Sequence, residues 1–357
     1  MALLNATLWN DIQIAGGQDE RRYPALGALN AVADSTPAVD YISPTALEAL
    51  RTISSDRDVQ IPVIKDGSVT VNTTPGYEYI PTNLSESDQY TFSTYDVFSG
   101  FRHFPSIYAN NTIDEQFDRE TKMKKIAHEM GKSVETILLT VLDARKTQQL
   151  GNTTQVSQGD GTFTFSTVSD TLTISKAAQK ETMFFYMEQL MESNDVGGMY
   201  RFVGSRGAFA TQIAEYLKYG ANNDQNKQAL GIPMDMLYTT SQLSAGSDVF
   251  TGFAFRDGAI GIVENFPYNF REGVEFAGKT WSVTDMPLPF CRMRANVYTN
   301  TEATNATALV TSGTDSNSKM THFEEMAVWL RFTVVYRYNS SLSTRVNDIV
   351  KIVGATS

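Results

Sequence analysis

Three histidines, one cysteine and a few carboxylates hold whatever chemistry this chain can do. His103, His128 and His322 stand apart, and none has a second His or Cys at metal-ligand spacing. His128 falls beside Ala127 inside an amphipathic helical pattern, where a place on the helix surface is expected. Cys291 would act as a nucleophile only with a base folded beside it; a half-buried structural thiol is the favoured reading. Glu324-Glu325 and Asp66 supply carboxylates, but nothing around them marks an acid–base couple. Arg292 and Arg294 either meet acidic groups across a subunit contact or line a solvated strand face. Gly204-Ser205-Arg206-Gly207 opens a helix whose first N–H groups could hold an anion, the alternative being a plain strand-to-helix turn. There is no G-x-x-x-x-G-K-[ST] phosphate loop, and no G-x-G-x-x-G follows a strand. The expectation is no catalytic residue, no cofactor and no metal, and so no enzyme.

The 357 residues suffice for two domains or one elaborated domain, and 41% hydrophobic content is that of a folded chain. A net charge of −11 argues against a sequence-independent grip on nucleic acid, which needs clustered Lys and Arg. A single cysteine excludes an internal disulfide and a multi-thiolate site. No apolar run approaches the length of a membrane span. MALLNATLWNDIQIAGG lacks the basic start and apolar stretch of a signal peptide, so a soluble protein made in a cytoplasm is expected. The sequons at Asn5 and Asn305 are then chance products of a Thr- and Asn-rich chain.

The element that must position everything else runs from Thr112 to Gly151. Phe117, Met123, Ile126, Ala127, Met130, Val134, Ile137, Leu138, Val141 and Leu142 recur at steps of three and four, one buried face of a helix. Thr112 and Glu115 form a capping box. Asp114, Glu115, Asp118 and Glu120 come early and Arg145 and Lys146 late, as the helix dipole favours. Unbroken over 112–150, such a helix is about 57 Å long. The heptad is not sustained, so a spine laid across a sheet is favoured over a coiled coil.

Residues 1–56 are broken by Gly16-Gly17, Pro24, Pro37 and Pro44, with a short helix expected from Pro44 to about Ile53. This arm should bury little of itself. From 57 to 105 comes a Thr-rich β excursion: Val59, Ile61 and Val63 alternate, Lys65-Asp66-Gly67 offers a hairpin turn, and Val69 and Val71 alternate again. QYTFSTYDVFSGFRHF is a further extended stretch. After the spine, TFTFSTVSDTLTIS reads as a hairpin, 175–193 as an amphipathic helix, MYRFVG as a strand and RGAFATQIAEYLKYG as a helix. DVFTGFAFRDGAIGIVEN reads as a hairpin turning at Asp257-Gly258. Residues 273–298 add strands, 300–319 form a polar loop, and EEMAVWLRFTVVYRYN and DIVKIV return to β structure.

This order of parts resembles the major capsid proteins of tailed bacteriophages, the Hong Kong 97-type fold. The stretch YTTSQLSAGSDVFTGFAFRDGAIGIVEN is also similar to the late central-domain stretch of that family. The resemblance implies an α+β chain with an N-terminal arm (1–56), an extended β loop (57–105), a peripheral domain (106–184 and 299–357) containing the spine helix 112–150, and an axial domain (185–298). It implies hexamers and pentamers forming an icosahedral head shell around double-stranded DNA, without sequence-specific binding and with no membrane partner. The subunit would be assembled in the host cytoplasm and reside in the virion. Portal, decoration and scaffolding proteins are the implied partners. The scaffold is expected to be separate, because the spine already begins at residue 112. Some members crosslink Lys to Asn; Lys65 lies near the loop tip, but no motif fixes a partner, so a solvated turn lysine is expected. An encapsulin-like bacterial compartment shell is the alternative on the same fold, and a cytosolic enzyme the alternative beyond it.

Overall fold

A computed structural model describes residues 26–34, 42–51, 60–64, 73, 87–104, 112–148, 150, 157–158, 161–180, 190–191, 200–208, 210, 237–265, 275–276, 279–280, 282–288, 293–305, 320–336 and 348–356. The chain is mixed α and β. Two short helices, α1 (Gly27–Asp34) and α2 (Pro44–Arg51), precede strands β1 (Gln60–Ile64), β2 (Ser87–Thr91) and β3 (Thr94–His103) and the long helix α3 (Thr112–Arg145). Then come β4 (Ser157–Gln158), β5 (Gly161–Ser166), β6 (Thr171–Ile174), β7 (Tyr200–Gly204), β8 (Leu237–Thr239), β9 (Phe250–Arg256) and β10 (Ile260–Glu264). The series closes with β11 (Glu275–Phe276), β12 (Lys279–Thr280), β13 (Ser282–Pro287), β14 (Arg294–Asn305), β15 (Met320–Tyr336) and β16 (Ile349–Gly354).

Two sheets carry the fold. In the first, β15 is central: β3 pairs along one edge over 324–333, while β14 and β10 share the other, with β13 outside β14. The second runs β4-β5-β6-β16-β9-β7-β8. Its strands come from 157–174, 200–256 and 349–354, so it takes members from both sides of the divisions expected at 184 and 298. Helix α3 lays Met123, Ala127, Met130, Val134, Leu138 and Leu142 into a core shared with Val328, Leu330, Phe332 and Val334 of β15. A second core gathers Phe163, Leu172, Ile174, Phe202, Phe250 and Ile352 about the seven-stranded sheet.

Several local expectations change on folding. Helix α3 stops at Arg145, short of 150, because Thr147 N–H turns away to donate to Ile349 C=O at 2.7 Å. Phe117 leaves the apolar stripe and is 69% exposed, while Ile126 and Ile137 are half-buried. The described part of the arm does not bury little: Ala28, Leu29 and Ala31 of α1 are fully buried. Helix α2 starts at Pro44, with Ser43 Oγ accepting from Ala46 N–H at 3.2 Å as an N-cap.

The described partner of β1 is β2, Ile61 opposite Tyr90; the turn at Lys65–Gly67 and Val69 and Val71 lie outside the described residues. Strand β3 is no excursion but a full member of the first sheet. Phe250–Glu264 is not a hairpin. Strand β9 pairs with β7 and β16 and β10 with β15, so the Asp257-Gly258 turn, with Gly258 at φ +81°, is a corner between sheets. Strand β9 is buried at all but its last position, so it belongs between two neighbours rather than on one arm of a ribbon. Strand β14 also continues to Asn305 inside the expected polar loop. The 161–174 hairpin forms as read. Of the 175–193 helix, 178–180 make a single turn and 190–191 are helical, while 181–189 lie outside the described residues, as do 1–25.

Candidate functional site

Where the first half of α3 crosses β3 and β15, the period-two pattern of the strands and the 3.6-residue pattern of the helix bring ionisable groups together. Alternation in β3 turns His103 inward, where it is fully buried, and Arg102 outward. Helix spacing puts Glu115 and Arg119 one turn apart on the same face. His103 Nε2 lies 3.0 Å from Glu115 Oε1, and Arg119 donates to Glu115 at 2.6 Å and to Glu324 of β15 at 2.8 Å. On the sheet's other face, Arg102 donates to Glu325 at 2.6 Å. The adjacent Glu324 and Glu325 thus point to opposite faces and fasten different partners. The chemistry of this arrangement is that of a bolt, opposed charges and charge-assisted hydrogen bonds joining helix to strands.

A second fastening lies at the far end of α3. Arg145 stacks over the Tyr336 ring at 4.5 Å and donates to the Tyr90 hydroxyl at 2.6 Å. The Tyr90 and Tyr336 hydroxyls are 2.5 Å apart, and Phe92 packs edge-on against both rings. Burial pushes the Tyr336 hydroxyl up, with the hydrogen bond to Tyr90 adding to it. The root of the β1–β2 ribbon is thereby tied to the spine and to the end of β15.

The remaining sequence candidates fall in varied places. His128 is buried at 4% exposure, not on the surface, and burial lowers its pKa. His322 sits opposite Ala303 in the β15–β14 register. Cys291, Arg292, Lys65 and Asp66 lie outside the described residues, and Arg294 is an exposed residue at the start of β14. The Gly204–Gly207 turn is filled by the protein itself. Ser205 N–H donates to Thr251 C=O at 2.8 Å, Thr251 N–H donates back to Ser205 Oγ at 3.2 Å, and a Cβ on Gly207 would collide with Val249 C=O. Those glycines serve close packing, and the Ser205 N–H that the anion reading needs is already taken by Thr251 C=O. Among the described residues no group of three or more His, Cys, Asp or Glu is placed to hold a metal. Among them too, no helix is long and apolar enough to cross a membrane.

What sequence reasoning missed is the pair of fastenings. Apart from the one-turn Glu115–Arg119 pair, the contacts that tie these elements join distant residues, up to the 246 positions between Tyr90 and Tyr336.

No family model matches the chain, and no curated protein sequence does. Solved structures similar to it include the capsid structure of Cyanophage P-SCSP1u, 12% identical over 88% of this chain and 89% of that one, with a TM-score of 0.44. The capsid asymmetric unit of Cyanophage A-1(L) is 13% identical over 90% and 97%, with a TM-score of 0.44. A structure from Mycobacterium phage Adephagia is 10% identical over 90% and 92%, with a TM-score of 0.42. These three structures come from phages, and two of them are described as capsid structures.

Proposed function

We propose that this chain is the major capsid protein of a tailed bacteriophage, with a structural and not a catalytic role. It forms hexamers and pentamers that close into an icosahedral head around double-stranded DNA. The observation that carries the reading is how the long helix is used. Helix α3, 34 residues and about 51 Å, lies across β3 and β15, a two-stranded ribbon leaves the body just before it, and the last strands return to both sheets. Such a subunit presents long flat surfaces for repeated contacts. Strand β3 adds to this: among the described residues no strand pairs with its far edge, and Phe98 on it is 79% exposed.

In this reading the peripheral domain is the spine with the five-stranded sheet, the axial domain is the seven-stranded sheet, and the ribbon belongs to the extended loop. Assembly takes place in the host cytoplasm, with scaffolding, portal and decoration proteins as partners. Light scattering and negative-stain microscopy of the purified protein test the proposal. Closed shells or rings of five and six support it, and DNA inside native particles separates a virus head from a cargo compartment. A protein that stays monomeric even when co-expressed with its neighbouring genes overturns it.

A further inference from the structure

Strand β3 is a long and regular edge. Its ten residues match β15 one for one, from Thr94 opposite Thr333 to His103 opposite Glu324, so it carries no bulge. Among the described residues no strand pairs with its other side. Open edges are ordinarily blunted by shortness, a bulge, a Pro or a Lys, and TYDVFSGFRH has none of these. The N–H and C=O groups along that side are a template for a further strand.

Alternation divides the side chains of β3 between two faces. Val97 and Phe101 pack on the core beneath α3, with Lys122 over the Phe101 ring, and Ser99 shares their face. Asp96, Phe98, Gly100 and Arg102 form an exposed row on the opposite face. That row is symmetric about Ser99 in position and complementary in chemistry. Asp96 stands three places before Ser99 and Arg102 three after; Phe98 stands one before and Gly100 one after. Gly100 lies opposite Ala327, and a Cβ on it would come within 2.6 Å of Met326 C=O, so this position has to stay bare.

We propose that β3 pairs antiparallel with β3 of a second copy of this chain, about a two-fold axis through Ser99 and normal to the sheet. Directly opposed residues of an antiparallel pair share a face, so the two exposed rows meet on one side. Asp96 of each copy then stands opposite Arg102 of the other, two ion pairs from one register. Each Phe98 stands opposite a Gly100, and its ring covers the bare position. On the α3 side Val97 meets Phe101. Moving the axis to Phe98 or to Gly100 sets that residue against itself and parts Asp96 from Arg102. Within its own copy Asp96 accepts Trp329 Nε1–H at 3.0 Å and Arg102 donates to Glu325 at 2.6 Å. A carboxylate and a guanidinium each have further hydrogen-bonding positions to share. The contact is isologous and small, so it holds at high concentration or when repeated in a larger assembly. It rests on the strand edge and not on the shell reading.

Asp96 and Arg102 lie about 20 Å apart along one strand, so a zero-length link between these positions can join only two copies. Arg102→Lys supplies the amine. A carbodiimide then condenses it with the Asp96 carboxylate to an amide, taking up the lost water as a urea. Full-length protein mixed from light- and heavy-isotope batches should give a 96–102 link carrying both isotopes, read by mass spectrometry. Links from position 102 to other carboxylates of a second copy, with none to Asp96, overturn the pairing. So does the absence of a mixed-isotope link at every protein concentration. In sedimentation velocity Arg102→Glu should weaken self-association at least about fivefold, and adding Asp96→Lys should restore it, because the same register then pairs the charges in reverse. A role confined to one chain predicts no such recovery, since the two substitutions set like charges beside Glu325 and Arg331. A folded double variant that does not recover overturns the pairing. Shells that close without the link overturn the pairing and leave the shell reading in place; linked pairs that never close do the reverse.

Discussion

Arg119 and Glu324 are 205 positions apart and meet at 2.8 Å, and the same guanidinium holds Glu115 at 2.6 Å. This triad seats the first half of the long helix on the central strand of the first sheet. Arg119→Met leaves two partly buried carboxylates facing one another and should cost about 3 kcal/mol of stability. Adding Glu324→Gln should recover part of that loss. Urea denaturation of the two single variants and the double variant measures the coupling, and additive effects would show that Arg119 does not bridge.

The apolar stripe of the spine is uneven. Leu138 is fully buried and Ile137 only half-buried. Leu138→Ala should cost about 3 kcal/mol through lost contacts and the cavity left behind. Leu138→Asp should abolish folding, because no partner awaits the carboxylate. Ile137→Ala should be markedly milder than Leu138→Ala. Denaturation midpoints compare them, and equal costs would contradict the packing of α3.

Two buried groups pull the acid side of the stability curve in opposite directions. Burial, and then Lys132, hold His128 below its ordinary 6.5, against Glu129. As the pH falls from 6.5 toward that lower value, the unfolded chain binds a proton that the folded chain does not, and stability falls. Burial raises Glu135 above its ordinary 4.5, although hydrogen bonds from Ala28, Thr240, Leu29 and Gly27 oppose the shift. Between 4.5 and that raised value the folded chain holds the extra proton, so stability rises as the pH falls. His128→Gln should flatten the loss below pH 6.5, and Glu135→Gln should steepen the fall in stability above pH 4.5. Urea midpoints across that range report both slopes.

Phe98 and Phe117 are 79% and 69% exposed, an expensive disposition for large apolar rings. Phe98→Ser and Phe117→Ser should each change the stability of the unassembled subunit by less than about 0.5 kcal/mol. Both should nevertheless reduce the yield of closed particles in light scattering. Particles formed at normal yield by both variants would remove these rings from the contacts of the proposed shell.

Elements with a repeating local pattern were legible in the chain itself. The stripe of α3, the alternation of Leu330, Phe332 and Val334 in β15, the 161–174 hairpin and the strand at Tyr200–Gly204 need only side-chain periodicity and turn residues to be read. Periodicity says which face is buried, not against what. The turns alone therefore assigned β1 to the 69–71 segment and β10 to β9: β9 and β10 read as a hairpin because a tight turn joins them, yet they enter different sheets. His128 read as a surface residue because its burial depends on what lies over α3. The fastenings at Arg119, Arg145 and Glu135 are likewise products of tertiary structure, since each joins groups whose neighbourhood exists only once distant segments have packed. The sequence by itself determined the local conformations and the buried faces, because those follow from bonds and contacts a few residues apart. Which strand pairs with which, and which charges meet, was decided by the closing of long loops around two cores.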